Sequence, residues 1–189
     1  QADGDSRPAR QAACLVAHQM SGWGVACVVY GDGRTEGMGM TLPSERPPEK
    51  PSVHFAWQEF ACHDFLRTPY PEDWRVDRGI PLANELERVR AWLSAALHRD
   101  VPLFLDSVFR TRAHNKAVGG APKSQHPEGR EADPRCPHGC TYAMFRQAIE
   151  AVAALPDSRI RYVKFYRHQG FAHLDIRPTK TLVVEEDAT

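Results

Sequence analysis

Two segments of the chain carry apolar residues at helical spacing. Leu82, Leu86, Val89, Leu93 and Leu97 recur every third or fourth position, which places them on one face of a helix. Pro81 stands at the expected start, where its missing N–H removes no helical hydrogen bond. A second helix is predicted from about Tyr142 to Leu155. Phe145, Ala148, Ile149 and Val152 share its inner face, Thr141 is its N-cap and Pro156 closes it. Elsewhere the period shortens. Val101–Phe109 (VPLFLDSVF), Ile160–Tyr166 and Phe171–Arg177 read as strands, and Thr181–Val184 offers a further one. The polar, Gly- and Pro-containing stretch Arg110–Asp133 is too long to be idle connection in a small domain. The order helix, strand, loop, helix, strand, strand predicts an α+β fold, a small antiparallel sheet flanked by helices.

The first fifty residues have another texture. Trp23–Tyr30 (WGVACVVY) is a short apolar, β-branched run ending in Gly31-Asp32-Gly33, and Met38, Met40 and Leu42 alternate with Gly39 and Thr41. That pattern predicts a hairpin. Pro43–Pro51 (PSERPPEKP) then holds four prolines, the composition of an extended arm or linker. The expected organisation is an N-terminal extension with a Pro-rich linker over 1–53 and a compact domain over 54–189.

Composition narrows the function classes. The 189 residues carry 24 basic and 24 acidic side chains. This balance argues against a nucleic-acid-binding or anionic-membrane surface, both of which need a basic excess. No run approaches the roughly 18 consecutive apolar residues of a membrane span. No positively charged segment leading into an apolar run follows Gln1, so no signal peptide is read and the compartment stays open. Five cysteines are an odd number and too few for a disulfide scaffold.

Candidate chemistry lies in two places. In Ala172–Arg177 the alternation of a strand puts Ala172, Leu174 and Ile176 on a core face and His173, Asp175 and Arg177 on the other. His, Asp and Arg in line read either as a site or as an exposed edge with an ion pair. The second place is Ser124–Asp133 (SQHPEGREAD), where His126 and Asp133 flank Gly129. An imidazole and a carboxylate returned by a glycine turn, joined by a His from a neighbouring strand, make a three-ligand site. Such a site leaves a fourth zinc position open, the catalytic arrangement.

These residues carry a resemblance. SVFRTRAHNKAVGGAPKSQHPEGREAD (Ser107–Asp133) followed by FAHLDIRP (Phe171–Pro178) resembles the zinc D-Ala-D-Ala carboxypeptidase family. The wider group includes vancomycin-resistance D,D-dipeptidases, phage L-alanyl-D-glutamate endopeptidases and the hedgehog signalling domain. Its motifs are S-G-Y-R-[ST]-x-x-H-N, S-x-H-x-x-G-x-A-x-D and F-x-H-x-D, and the likeness extends weakly to HFAWQEFACHD, covering about 54–178. It implies a hedgehog/D,D-peptidase-like fold, Zn2+ as cofactor, and His126, Asp133 and His173 as its ligands. Arg110 falls on the family arginine that binds substrate or polarises the scissile carbonyl, Ser124 on the serine near the first ligand, and His114 and Asn115 on the H-N pair that shapes the loop. The implied activity is a metallopeptidase hydrolysing bacterial cell-wall peptides with a zinc-activated water.

Three departures stand out. Relatives place an acid-base residue two or three positions before the last ligand, where this chain has Phe171 and Gly170. His168 and Asp175 are the nearest substitutes, with Glu131 and Glu128 on the ligand loop, and Asp175 is also a candidate carboxylate for orienting a ligand imidazole. Glu131 replaces a small Ala, so its charge is either solvated or part of the site. Phe109 replaces a Tyr and deletes one hydroxyl. Cys136-Pro137-His138-Gly139-Cys140 follows Asp133 directly, and it reads as a second metal clamp, a Cys136–Cys140 disulfide or free thiols. The rival to an enzyme is an inactive zinc-binding module of the same shape that holds a peptide or protein partner. Expected partners are a cell-wall peptide and no nucleic acid, for a monomer; an extracytoplasmic setting (periplasmic, secreted or phage-associated) fits that substrate.

Overall fold

The computed structural model describes residues 27–29, 35–37 and 48–187. The chain divides into two compact units, Gln1–Arg46 and Pro47–Thr189. In the first, β1 (Cys27–Val29) and β2 (Thr35–Gly37) pair antiparallel with Val28 opposite Glu36. This hairpin stands where the Trp23–Tyr30 run and its Gly-Asp-Gly turn predict one. Met38, Met40 and Leu42, and the first part of the Pro-rich arm, lie outside the described residues.

The second unit is built around α1 (Ile80–Leu97), with Pro81 in its first turn. Leu82, Leu86, Val89 and Leu93 are fully buried, as their spacing requires. Each such side chain contributes about 1.5–3 kcal/mol when removed from water. The helix ends at His98, whose left-handed backbone (φ 50°) lets the next amides return to the last turn. A short α2 (Arg112–Ala117) is capped by Thr111, whose Oγ1 accepts from His114 N at 3.2 Å. After the two-residue β3 (Glu131–Ala132) comes α3 (Tyr142–Ala153), and Thr141 Oγ1 caps it by accepting from Met144 N at 3.2 Å. Phe145, Ala148, Ile149 and Val152 are buried, and α1 packs against α3.

β4 (Tyr162–Tyr166), β5 (Phe171–Asp175) and β6 (Val183–Glu186) complete a sheet of order β3-β5-β4-β6. β5 runs antiparallel to both β3 and β4, whereas β6 lies parallel to β4. The architecture is α+β, and its sheet is mixed because the chain crosses over after β5 before pairing on the far side of β4. Among the described residues no helix is long and apolar enough to cross a membrane.

Val101–Phe109 differs from expectation. It is extended but forms no strand, only an isolated bridge between Leu105 and Pro134. Its pairing is short: Asp106 N donates to Asp133 O at 2.9 Å and Phe104 O accepts from Arg135 N at 2.9 Å, after which Phe109 N turns to Phe60 O at 3.2 Å. Pro102 supplies no donor at all. Apolar alternation reports burial of Val101, Leu103 and Val108, which does not require a ladder partner.

An aromatic wedge supports the loop that follows. Trp57 stacks on Tyr70 with ring centroids 5.6 Å apart, and Phe60 and Phe109 meet Tyr70 edge-on. Tyr70 Oη donates to the Gly129 carbonyl at 2.6 Å. Residues just before Val53 also join this unit: Trp57 Nε1 donates to Pro48 O at 2.9 Å, and Ser52 Oγ to Glu87 at 2.7 Å.

Candidate metal centre

His126 opens a single tight turn (His126–Glu128) that Gly129 closes with a left-handed backbone, φ 65°. A Cβ on Gly129 would lie 2.8 Å from Tyr70 Oη, so a glycine serves both the turn and the close approach. The chain then enters β3, whose pairing sets Glu131 opposite Asp175 on β5. Asp133 follows β3 directly, and His173 projects from the middle of β5. In this way one turn and two paired strands bring together His126, Glu131, Asp133 and His173, with one ligand atom from each lying within 4.8 Å of all the others.

The contacts are close. His126 Nε2 lies 3.0 Å from Asp133 Oδ2 and 2.9 Å from Glu131 Oε1. His173 lies 2.8 Å from Asp133 Oδ1 through Nδ1 and 2.6 Å from Glu131 Oε1 through Nε2. His126 Nδ1 meets the Val108 carbonyl at 2.5 Å. A carbonyl only accepts, so in the neutral ring Nδ1 carries the proton and the Nε2 lone pair faces the cluster. Arg110 Nη2 donates to Asp133 Oδ2 at 2.6 Å, and its Nε to Ser107 Oγ at 2.8 Å. Glu131 Oε2 accepts from Ser124 Oγ at 3.0 Å, from His126 N at 2.8 Å and from Gln125 N.

Burial makes these charges matter. His126 and Glu131 side chains are each 1% exposed and Asp133 6%. Burial pulls the His126 imidazole down, but its bond to Asp133 and the attraction of the Glu131 and Asp133 carboxylates outweigh it and lift the pKa to about 9. Burial pushes the Asp133 carboxyl up, and its bonds to His126 and His173 more than reverse this, holding it well below the carboxylate range. Glu131 follows the same pattern: burial raises it, the two imidazoles lower it further, and the net shift is downward. Two carboxylates kept ionised among imidazoles, inside the protein, form a donor set suited to a divalent cation. One atom bears this out directly. Glu131 Oε1 is buried and makes no hydrogen bond, although it faces the centre of the cluster.

Glu131, Asp133 and His173 line a cleft of about 590 Å³ whose walls include Arg110, Lys123, Tyr162, Lys164, Tyr166 and Arg177, while His126 is buried. The Peptidase M15 family matches residues 58–175, well over half the chain. The chain belongs to this family. Its peptidase activity class and its divalent-metal site are thereby the expected ones, and the resemblance drawn from the motifs is the same family. No curated protein matches the chain.

The structure of this M15 chain distributes the remaining sequence candidates as follows. Ser124 touches the cluster through Glu131 and the His126 amide. Asn115 is buried and donates to Ala121 O at 3.2 Å, and Gly120 lies so near that a Cβ there would meet Asn115 Oδ1. Asp175 is fully buried on the other side of the pairing, and its carboxylate receives Arg177 N at 3.0 Å and Nε at 2.8 Å. It touches neither ligand imidazole. His168 is not brought to the cluster. It sits in the β4–β5 turn and lines a different surface pocket with Tyr142, Arg146 and Glu186, because a five-residue separation along a hairpin carries it away from His173. Glu128 binds Arg112 at the surface. Among the described residues no second group of three or more metal-ligating side chains forms. Cys136 and Cys140 are free thiols, Cys136 Sγ donating to the Cys140 carbonyl at 3.5 Å, and burial pushes Cys136 up to about 11. Glu131 is the site residue that residue types alone did not place; its signal was a charged side chain where relatives have a small one.

Proposed function

We propose that the domain over 54–189 is a zinc metallopeptidase acting on bacterial cell-wall peptides, D-Ala-D-Ala carboxypeptidase-like in its choice of bond. The observation that carries the reading is the convergence of His126, Asp133 and His173 on one centre, with Asp133 and His173 lining a cleft. Zn2+ held by these three residues supplies Lewis acidity, lowering the pKa of water to about 7 and polarising a carbonyl. The chain's own groups do the rest. Val108 and Arg110 fix the orientation of His126 and Asp133. Arg110 also faces the cleft, where its permanent charge stabilises a developing oxyanion. Lys123, Lys164 and Arg177 line the walls, the last two paired with Asp187 and Asp175, and Lys123 is placed to meet a carboxylate of the kind cell-wall stem peptides carry. Tyr162, Tyr166 and Phe171 give the same walls apolar area.

The test is hydrolysis of cell-wall peptides ending in D-Ala-D-Ala by the zinc-loaded protein and by His126→Ala. Turnover in the wild type that disappears with the ligand supports the enzyme. A second reading, a zinc-holding module that binds a peptide without cleaving it, is favoured by one observation: among the described residues the cleft wall carries no acid besides Glu131 and Asp133. Stoichiometric zinc and peptide binding without turnover would establish that alternative.

A further inference from the structure

Glu131 is held as a bridge. Its Oε2 is saturated by three donors, the Ser124 hydroxyl and the amides of Gln125 and His126. Its Oε1 is buried with no hydrogen bond, yet lies 2.9 Å from His126 Nε2 and 2.6 Å from His173 Nε2. Those two imidazoles are its only ionisable contacts among the described residues, since Arg110 is committed to Asp133 and Ser107. Neither ring makes a hydrogen bond to Oε1. Once an imidazole nitrogen gives its lone pair to a metal it carries no proton and cannot donate to that oxygen. The carboxylate charge would then be buried without any partner, which proteins avoid. A cation at the centre removes the conflict. Donors around a tetrahedral ion lie roughly 3.4 Å apart when each is about 2.1 Å from it, and Oε1 is already among the other donors at that scale.

We infer that Glu131 is a fourth protein ligand, making the centre one of two imidazoles and two carboxylates. This rests on the metallopeptidase reading above and departs from a three-ligand site. Oε2 acts as the anchor, since three short-range donors leave the carboxylate no freedom to swing away, and Oε1 is the coordinating atom. Four protein donors hold an ion more firmly than three, and the water that the peptidase reading needs would then take a fifth position, a coordination number zinc sites reach.

The experiment uses the full chain, stripped of metal and reloaded with Zn2+ or Co2+. Affinity is measured by chelator competition, and the visible absorption of the cobalt form reports the coordination shell. Glu131→Gln keeps an acceptor for the Ser124, Gln125 and His126 donors, and Glu128→Gln is the control. The expected result is one ion per chain throughout, at least tenfold weaker binding in Glu131→Gln with an altered cobalt spectrum, and wild-type behaviour in Glu128→Gln. Unchanged affinity and spectrum in Glu131→Gln would overturn the inference and leave the metallopeptidase reading intact. Weaker binding with an unchanged spectrum would also overturn it, placing Glu131 outside the coordination shell. A wild type that binds no ion would defeat both readings. If Glu131→Gln fails to fold, a crystal structure of the zinc-loaded wild type decides: Oε1 within about 2.2 Å of the ion supports the assignment, and a distance beyond about 3 Å overturns it.

Discussion

His126 and Glu131 hold one another at two points: the His126 amide donates to Glu131 Oε2 at 2.8 Å, and its Nε2 lies 2.9 Å from Glu131 Oε1. The same five-residue turn therefore sets the backbone of one group and the side chain of the other. Small errors in that turn would be felt at the candidate metal position.

Arg110 bridges Asp133 and the cleft. Arg110→Ala is expected to lower kcat by about 10²–10³ at saturating zinc, the cost of removing a charged oxyanion donor, while one ion remains bound. Steady-state kinetics on metal-saturated protein, with zinc content measured in parallel, checks this. A change confined to zinc content would show that Arg110 serves only Asp133.

Metal uptake should depend on pH through His126. Its folded pKa of about 9 lies above the ordinary 6.5. Protonation therefore stabilises the metal-free fold fully below pH 6.5, and that contribution is lost as pH rises through about 9. A metal takes the same nitrogen and must displace the proton, so zinc affinity should climb across this window and level off above it. Chelator competition at stepped pH, with proton release followed by calorimetry, measures it; an affinity independent of pH would contradict the assignment.

His168 and Asp175, the two acid-base candidates beside the last ligand, should separate by phenotype. His168→Ala is expected to leave turnover unchanged, because the ring opens on another pocket. Asp175→Asn breaks a buried carboxylate–Arg177 fork and should cost about 1–3 kcal/mol of stability, less than a fully buried pair because Arg177 is partly exposed. Thermal melts alongside kinetics distinguish the two, and a pH profile altered by His168→Ala would return that residue to the mechanism.

Gly129→Ala tests the turn itself. A left-handed backbone costs a non-glycine residue about 1–2 kcal/mol, and the new Cβ would lie 2.8 Å from Tyr70 Oη. A fall in melting temperature of about 2–8 °C is expected for a chain of this size, with weakened zinc binding because His126 heads the same turn. An unchanged melting temperature would mean the turn relaxes without strain.

Cys136→Ser should leave zinc at one per chain, since Cys136 and Cys140 are free thiols and no second ligand group forms among the described residues. A fall from two ions to one would reinstate the Cys-His-Cys loop as a metal clamp.

Local patterns determined much of this protein without the fold. Helical spacing placed α1 and α3 with their buried faces, Thr141 and Pro81 marked their ends, and alternation in Phe171–Arg177 put Ala172 and Leu174 in the core with His173 on the opposite face. These features are decided by periods of two and 3.6 residues, which are written along the chain. The motifs around His126 and His173 pointed to the family for a similar reason: metal ligands need particular residue types at particular spacings. Tertiary structure alone decided the rest. Val101–Phe109 has a strand's composition but pairs only over a short stretch around Leu105 and Pro134, and β6 joins β4 in parallel through a crossover that no local pattern encodes. The placement of Glu131 was decided the same way. A carboxylate two residues from Asp133 reads equally as solvated or as part of a site, and only the pairing of β3 with β5 sets it against His173, forty-two residues away. Through-space contact between distant segments is a property of packing, and packing is where an ordinary surface charge became part of the centre.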